Sequence, residues 1–245
     1  MNAVKSLFFT AATLVGIVGV MGSGADAQAD AAPRHVRVVW TEDPAHSALI
    51  SWTTDQAGAS SRVLFDTVAR GGEPEAYQAI VEEDAGSAYV AGGPFFHHTR
   101  LTDLQPSTAY HFVVQTDGAS SQELYFVTAP ASGTGFKLLY GGDSRTSPEN
   151  RQRMNRRISR LHDDDPSILA LVHGGDYIED EDDWSQWTRW LDDHELTIGS
   201  DGRVLPIIPT KGNHEGRGVV YNRVFGNPGG SADTNWFATA IGDLT

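Results

Sequence analysis

Apolar and polar residues alternate in short runs from Arg34 to about Pro130, and the rhythm then changes. In the first stretch HVRVVW, SALISWTT, SRVLFD, SAYVA, FFHHTRLT, TAYHFVVQ and QELYFVT form seven candidate strands separated by turn residues. The two-residue period places Ala48, Ile50 and Trp52 on one face, and Tyr110, Phe112 and Val114 on another. Seven such strands in about a hundred residues predict an all-β sandwich over residues 34–130. His97 and His98 fall within one strand, one per face, and are expected to be structural. After the turn-rich ASGTG at 131–135, expected to be a linker, the apolar runs become continuous. FKLLYGGD, ILALVHGGD and VLPIIPT are expected to be three apolar strands. Between them SPENRQRMNRRISRLH and DDWSQWTRWLDDHEL have the period of amphipathic helices. Ser147 is placed to cap the first, Pro148 sits at its first position, and Met154, Ile158 and Leu161 make its buried stripe. Trp184, Trp187 and Leu191 line one side of the second. The order β-α-β-α-β predicts a parallel α/β layer over 136–245, with NWFATAIGDL as the start of a further strand.

Composition removes some function classes. The formal net charge of −14 argues against a nucleic-acid or anionic-membrane binder, which needs a basic face. Six of the 18 basic residues do lie between Arg145 and Arg160, where a solvated helix face accounts for them. At the start, Lys5 precedes an apolar run from Leu7 to Val20, and Ala25-Asp26-Ala27 follows as a small-residue cleavage site. Residues 1–27 are therefore expected to be a signal peptide, since the run is short of the ~20 residues of a membrane span. The expected location is secreted or periplasmic, with no membrane span once the signal is removed. With no cysteine, the exported protein must be held by its cores or by metal.

The chemistry-bearing residues gather at strand ends, where α/β proteins place ligands. Asp143, Asp176 and Asn213 end the three apolar strands, 33 and 37 residues apart. Carboxylates brought together there repel unless a cation lies between them. Oxygen donors suit hard or borderline metal ions. The glycine before each donor lets the backbone turn sharply.

The ordered set GGD, GGD and GNHE resembles the GD…GD…GNH[DE] signature of calcineurin-like metallophosphoesterases. HHTRLTDLQPSTAYHFVV and YFVTAP resemble the N-terminal domain of purple acid phosphatases. Leu104, Pro106, Thr108 and Tyr110 resemble the tyrosine corner of fibronectin type III-like domains, which assigns Tyr110 to structure. The resemblance runs from about Arg34 to Asn235. It implies a fibronectin type III-like sandwich followed by an incomplete α/β metallophosphoesterase domain, the β-α-β-α-β half of a four-layer α/β/β/α fold. By position, Asp143 would bind a first metal, Asp176 would bridge two, Asn213 would bind the second, and His214 would face the scissile phosphate. The implied cofactors are two divalent or mixed-valence ions of iron, zinc or manganese. The implied reaction is hydrolysis of a small phosphate ester by metal-activated water.

The chain departs from the family at several positions. Purple acid phosphatases carry a tyrosine three residues after the bridging aspartate; that position is Glu179, kept as a candidate metal ligand. Tyr177 is one residue after Asp176, so no purple colour is expected. The superfamily often has histidine two residues after the first aspartate; Arg145 stands there and is expected to contact phosphate. The family supplies three more histidines after GNH, whereas His214 is the last of nine. His173 is expected beside the site, and His162 and His194 at a surface or boundary. The expectation is therefore half of an active site, with weak or no activity alone and an exposed apolar sheet face. Two alternatives remain: an SGNH-type esterase using Ser144 of GGDSRT, though no C-terminal DxxH follows, and a non-catalytic binding protein on a degenerate scaffold.

Overall fold

Residues 32–83, 85–227 and 236–244 are described by a computed structural model. The expected signal segment 1–27 lies outside the described residues. The strands in chain order are β1 (Arg34–Val39), β2 (Ala48–Thr54), β3 (Ser61–Asp66), β4 (Ala79–Glu83), β5 (Ser87–Ala88), β6 (Phe95–Leu101), β7 (Ala109–Thr116), β8 (Ala119–Ser120) and β9 (Leu124–Val127). They continue with β10 (Lys137–Gly141), β11 (Ile168–His173) and β12 (Ile207–Pro209). Helix α1 (Pro148–Asp164) follows β10, α2 (Trp184–Glu195) follows β11, and α3 (Val219–Phe225) follows β12.

Two sheets face each other. The smaller has the order β4-β3-β7-β8, with β9 also on β7. The larger has the order β10-β11-β12-β1-β2-β6-β5. Strands β10, β11 and β12 are parallel neighbours. The parallel layer and the sandwich share this sheet, because β1 runs parallel to β12 with Val39 opposite Ile207. The Trp40 amide donates to the Ile207 carbonyl at 2.9 Å.

The two-residue period explains how one sheet serves two cores. Val36, Val38, Trp40, Ala48, Ile50 and Trp52 point toward β3, β7 and β9, forming the sandwich interior with Phe112, Val114 and Phe126. The intervening Val39, Leu49 and Ile207 point the other way, under Trp187, Trp190, Leu191 and Phe225 of the helices. Every residue of β2 is consequently buried. Tyr110 closes its corner as expected, its hydroxyl accepting from the Gln105 amide at 2.8 Å. His97 stacks on Trp52 inside the sandwich, and His98 on the opposite face bonds the Arg223 carbonyl.

Several local expectations are corrected. Met154 is exposed, while Arg151, Ile158 and His162 are the buried residues of α1. Ser147 occupies the capping position in a left-handed conformation and its side chain caps nothing. His162 and His194 are buried, because α1 and α2 pack together: His162 Nε2 meets the Thr197 carbonyl and His194 stacks on Trp190. Strand β4, half-exposed on both faces, has no apolar alternation and was not expected. Residues 236–244 form no strand, only a bridge between Ile241 and Leu244. Ile241 and Phe237 pack on the sheet face below β10–β12, which leaves Tyr140 and Trp236 as its exposed aromatics.

Candidate active site

Parallel neighbours with the same direction deliver their C-terminal ends to one edge, so GGD, GGD and GNHE meet there. The loops are in backbone contact. Asp143 N–H donates to Gly175 O at 2.9 Å, and Gly174 N–H to Gly141 O at 2.7 Å. Gly175 has φ +92, and a Cβ on it would collide with the Gly212 backbone. Gly212 has no such dihedral; glycine is required there because a Cβ would run into Asp176. Close approach, more than turning, is what these glycines provide. Asp143 and Asp176 themselves sit at φ +55 and +57, a region where aspartate is among the more tolerant residues.

Three carboxylates surround one guanidinium. Arg145 pairs with Asp143 through Nη1, with Asp176 Oδ2 through the same nitrogen at 3.0 Å, and with Glu179 Oε2 through Nε at 2.8 Å. The Asp143 side chain is 74% exposed and that of Asp176 17%, so the cluster opens outward from a half-buried floor. His214 approaches from the third loop. Its amide donates to Asp176 Oδ1 at 3.2 Å and its Nδ1–H to the Glu179 carbonyl at 3.0 Å. That bond assigns the Nδ1–H tautomer, which leaves Nε2 as the atom able to take or give a proton. Asn213 is exposed beside it, on the wall of an open cavity of about 970 Å³ that Glu179, His214 and Arg223 also line. The structure thus joins Asp143, Arg145, Asp176, Glu179 and His214, with Asn213 adjoining.

Two supporting groups escaped sequence reasoning. Glu215 is fully buried, and its carboxylate accepts from Gly212 N at 2.7 Å, Asp176 N at 3.0 Å and Tyr177 N at 2.8 Å. It locks the second loop to the third. The visible signal was the glutamate three residues after Gly212, at hydrogen-bonding range of its own loop. Arg151 is the other: buried against Asp193, it donates through Nη1 to the Ser144 carbonyl at 2.8 Å.

Ser144 lies 2.9 Å from His173 Nε2, the spacing of a nucleophile and its base. The tautomer argues against that role. His173 Nδ1 accepts from the Gly175 amide at 3.2 Å, so the ring proton is on Nε2 and is donated to Ser144. Trp190 Nε1–H donates to the same oxygen at 2.9 Å. Among the described residues the ring's hydrogen-bond partners are Ser144 and the Gly175 amide, with no carboxylate, and burial pushes the His173 pKa down to about 3. Ser144 is tied down as an acceptor rather than activated.

The donor types present, three carboxylates and an amide, suit a hard or borderline dication. Their arrangement is organised around the Arg145 cation; among the described residues no group of three carboxylates or imidazoles forms a metal shell. The donor chemistry suits such an ion, and the position between Asp143 and Asp176 is taken by the Arg145 guanidinium.

The fold and site define a class: a β-sandwich joined to a parallel layer with carboxylates at its strand ends. Residues 33–128 match the family model of the purple acid phosphatase N-terminal domain. The structure is similar to that of a purple acid phosphatase from yellow lupin (Lupinus luteus) seeds, with a TM-score of 0.58 at 19% identity, over 85% of this chain and 41% of that one. It is similar to a structure of PhoD with a TM-score of 0.46 at 12% identity, over 74% of this chain and 39% of that one. A fibronectin type III domain of human contactin 1 matches at 20% identity and a TM-score of 0.30, over 43% of this chain and 83% of that domain. The chain spans about two-fifths of the length of the phosphatase it matches.

Proposed function

We propose that the protein is an exported, metal-dependent phosphoesterase that hydrolyses small phosphate esters. The observation that carries this is the meeting of Asp143, Asp176 and His214 from three consecutive strand ends. Asp143, Asp176, Asn213 and Glu179 are the residues that would hold iron, zinc or manganese. When bound, such ions withdraw charge from the phosphoryl group and lower the pKa of the attacking water. The chain's own residues supply the rest. Glu215 fixes the spacing of the loops through three amides. The Glu179 carbonyl orients His214 through Nδ1–H, so that Nε2, once it has taken a proton, can pass it to a leaving oxygen. Arg145 has the planar donors to contact a phosphate. Export rests on the N-terminal signal pattern and places the protein in the periplasm or outside the cell.

The test is binding of inorganic phosphate, and turnover of p-nitrophenyl phosphate, with and without Mn(II) or Zn(II). Binding should require metal and be lost in Asp176→Asn. Slow turnover should fall about 100-fold or more in His214→Ala, as for loss of a general acid. Phosphate binding that ignores both metal and Asp176, or no binding at all, would overturn the assignment.

A further inference from the structure

The cation position between the strand-end carboxylates has an occupant supplied by the chain. Arg145 touches Asp143, Asp176 and Glu179 at once, and its side chain is only 21% exposed. Two of those partners are the residues placed to hold the first metal. A guanidinium and a dication cannot share that point: both carry positive charge, and each needs the same carboxylate oxygens. Arg145 lies in the loop between β10 and α1, and its guanidinium bonds are to carboxylates. The surrounding loops are braced independently of it, by Glu215 on one side and by Arg151, His173 and Trp190 around Ser144 on the other. The loop backbones that carry the carboxylates are therefore held without the guanidinium.

We propose that Arg145 is an internal counter-cation that competes with a divalent metal ion for the Asp143–Asp176 position. Metal entry expels the guanidinium from the carboxylates, and the freed donors become available to an anion at the crevice mouth. Metal loading and phosphate contact by Arg145 are then one exchange. This rests on the metal-binding part of the proposed function and not on turnover.

The test is Mn(II) titration of the full chain, followed by calorimetry and by the electron paramagnetic resonance signal of bound Mn(II). Arg145→Gln, which removes the charge and keeps much of the bulk, should bind Mn(II) about tenfold or more tightly than the unsubstituted chain. Arg145→Lys, which keeps a cation, should stay near the unsubstituted affinity. Adding Asp176→Asn to Arg145→Gln should abolish the gain. A second measurement needs no substitution: in chain with 15N-labelled arginine, the Arg145 Nε–H resonance should move as Zn(II) is added. Equal affinity in all three chains, with an unmoved Arg145 resonance, overturns the exchange while leaving the carboxylates as metal ligands. No bound metal in any chain overturns both.

Discussion

Glu215 shows how much one buried side chain decides at this site. Its carboxylate is fully enclosed and meets three backbone amides from two loops. Hydrogen bonds to an ionised acceptor are the stronger kind, and each amide orphaned in the interior carries a desolvation penalty. Glu215→Ala is expected to cost about 3 kcal/mol or more, read from urea unfolding. Glu215→Gln keeps one acceptor oxygen but turns an NH₂ toward an amide donor, so it should lose at least half as much. If Glu215→Ala unfolds with the midpoint of the unsubstituted chain, the clamp has no energetic weight. The residue was visible as the last letter of GNHE, but its role was not. A motif shows which side chains are present and not which amides from another strand will reach them. Tyr110 is the contrary case: its partner Gln105 is five residues away, so spacing alone carried the contact.

At the scale of elements, α1 and α2 are joined by a buried ion pair, Arg151 with Asp193, whose side chains are 6% and 5% exposed. Asp193 also accepts from Gln152 at 2.9 Å, and Arg151 reaches back to the Ser144 carbonyl. Removing one partner strands the other charge in the interior, so Arg151→Ala should destabilise by about 3–5 kcal/mol. The double substitution Arg151→Met with Asp193→Leu should recover most of it. Arg151→Ala should also speed amide exchange in residues 142–145, which its guanidinium braces. An additive double mutant, or unchanged exchange, would dissociate the pair from the site. The six-arginine run gave no hint that one of them is buried; in periodicity it reads as a polar face. The stripe failed similarly at Met154, since β10 is the edge of the sheet and among the described residues no strand lies beyond it. Strands with a clear two-residue period were legible, as were the helices between apolar runs. Strand β4 was not, because neither face is fully buried. The parallel pairing of β1 with β12 was not either, because strands over 160 residues apart carry no local sign of their register.

The whole molecule combines these layers into one titration. Five histidines have depressed pKa values, four of them buried and His98 half-buried: His35 and His97 at about 4, and His98, His173 and His194 at about 3. Burial is the leading cause in each, and for His35 it outweighs the Asp192 carboxylate that pulls the other way. Unfolding restores an ordinary histidine value near 6.5. Above that pH both states are neutral, and the histidines do not change stability with pH. Below it the unfolded chain takes up protons that the folded chain refuses, so stability is lost as pH falls from about 6.5 toward 3–4. Each histidine contributes about 1.4 kcal/mol per pH unit in that window. Five together approach the whole stability of a typical domain, about 5–15 kcal/mol, within one to two units. Asp66 and Glu123, whose pKa values are lowered, lose their stabilising effect only when pH reaches the carboxylate range, so they add to the loss later and not in this window. The urea midpoint should therefore be flat from pH 8 to 7 and fall steeply from 6.5 to 5. His97→Asn should lower the slope by one proton, at some cost in overall stability, since it gives up the Trp52 stack. A midpoint unchanged between pH 7 and 5 would mean these imidazoles are protonated in the fold. The proposed hydrolysis should therefore be limited on its acid side by unfolding of the sandwich and helix cores. Activity and far-UV circular dichroism should be lost together on acidification, and activity that disappeared while the fold persisted would place the limiting group in the crevice instead.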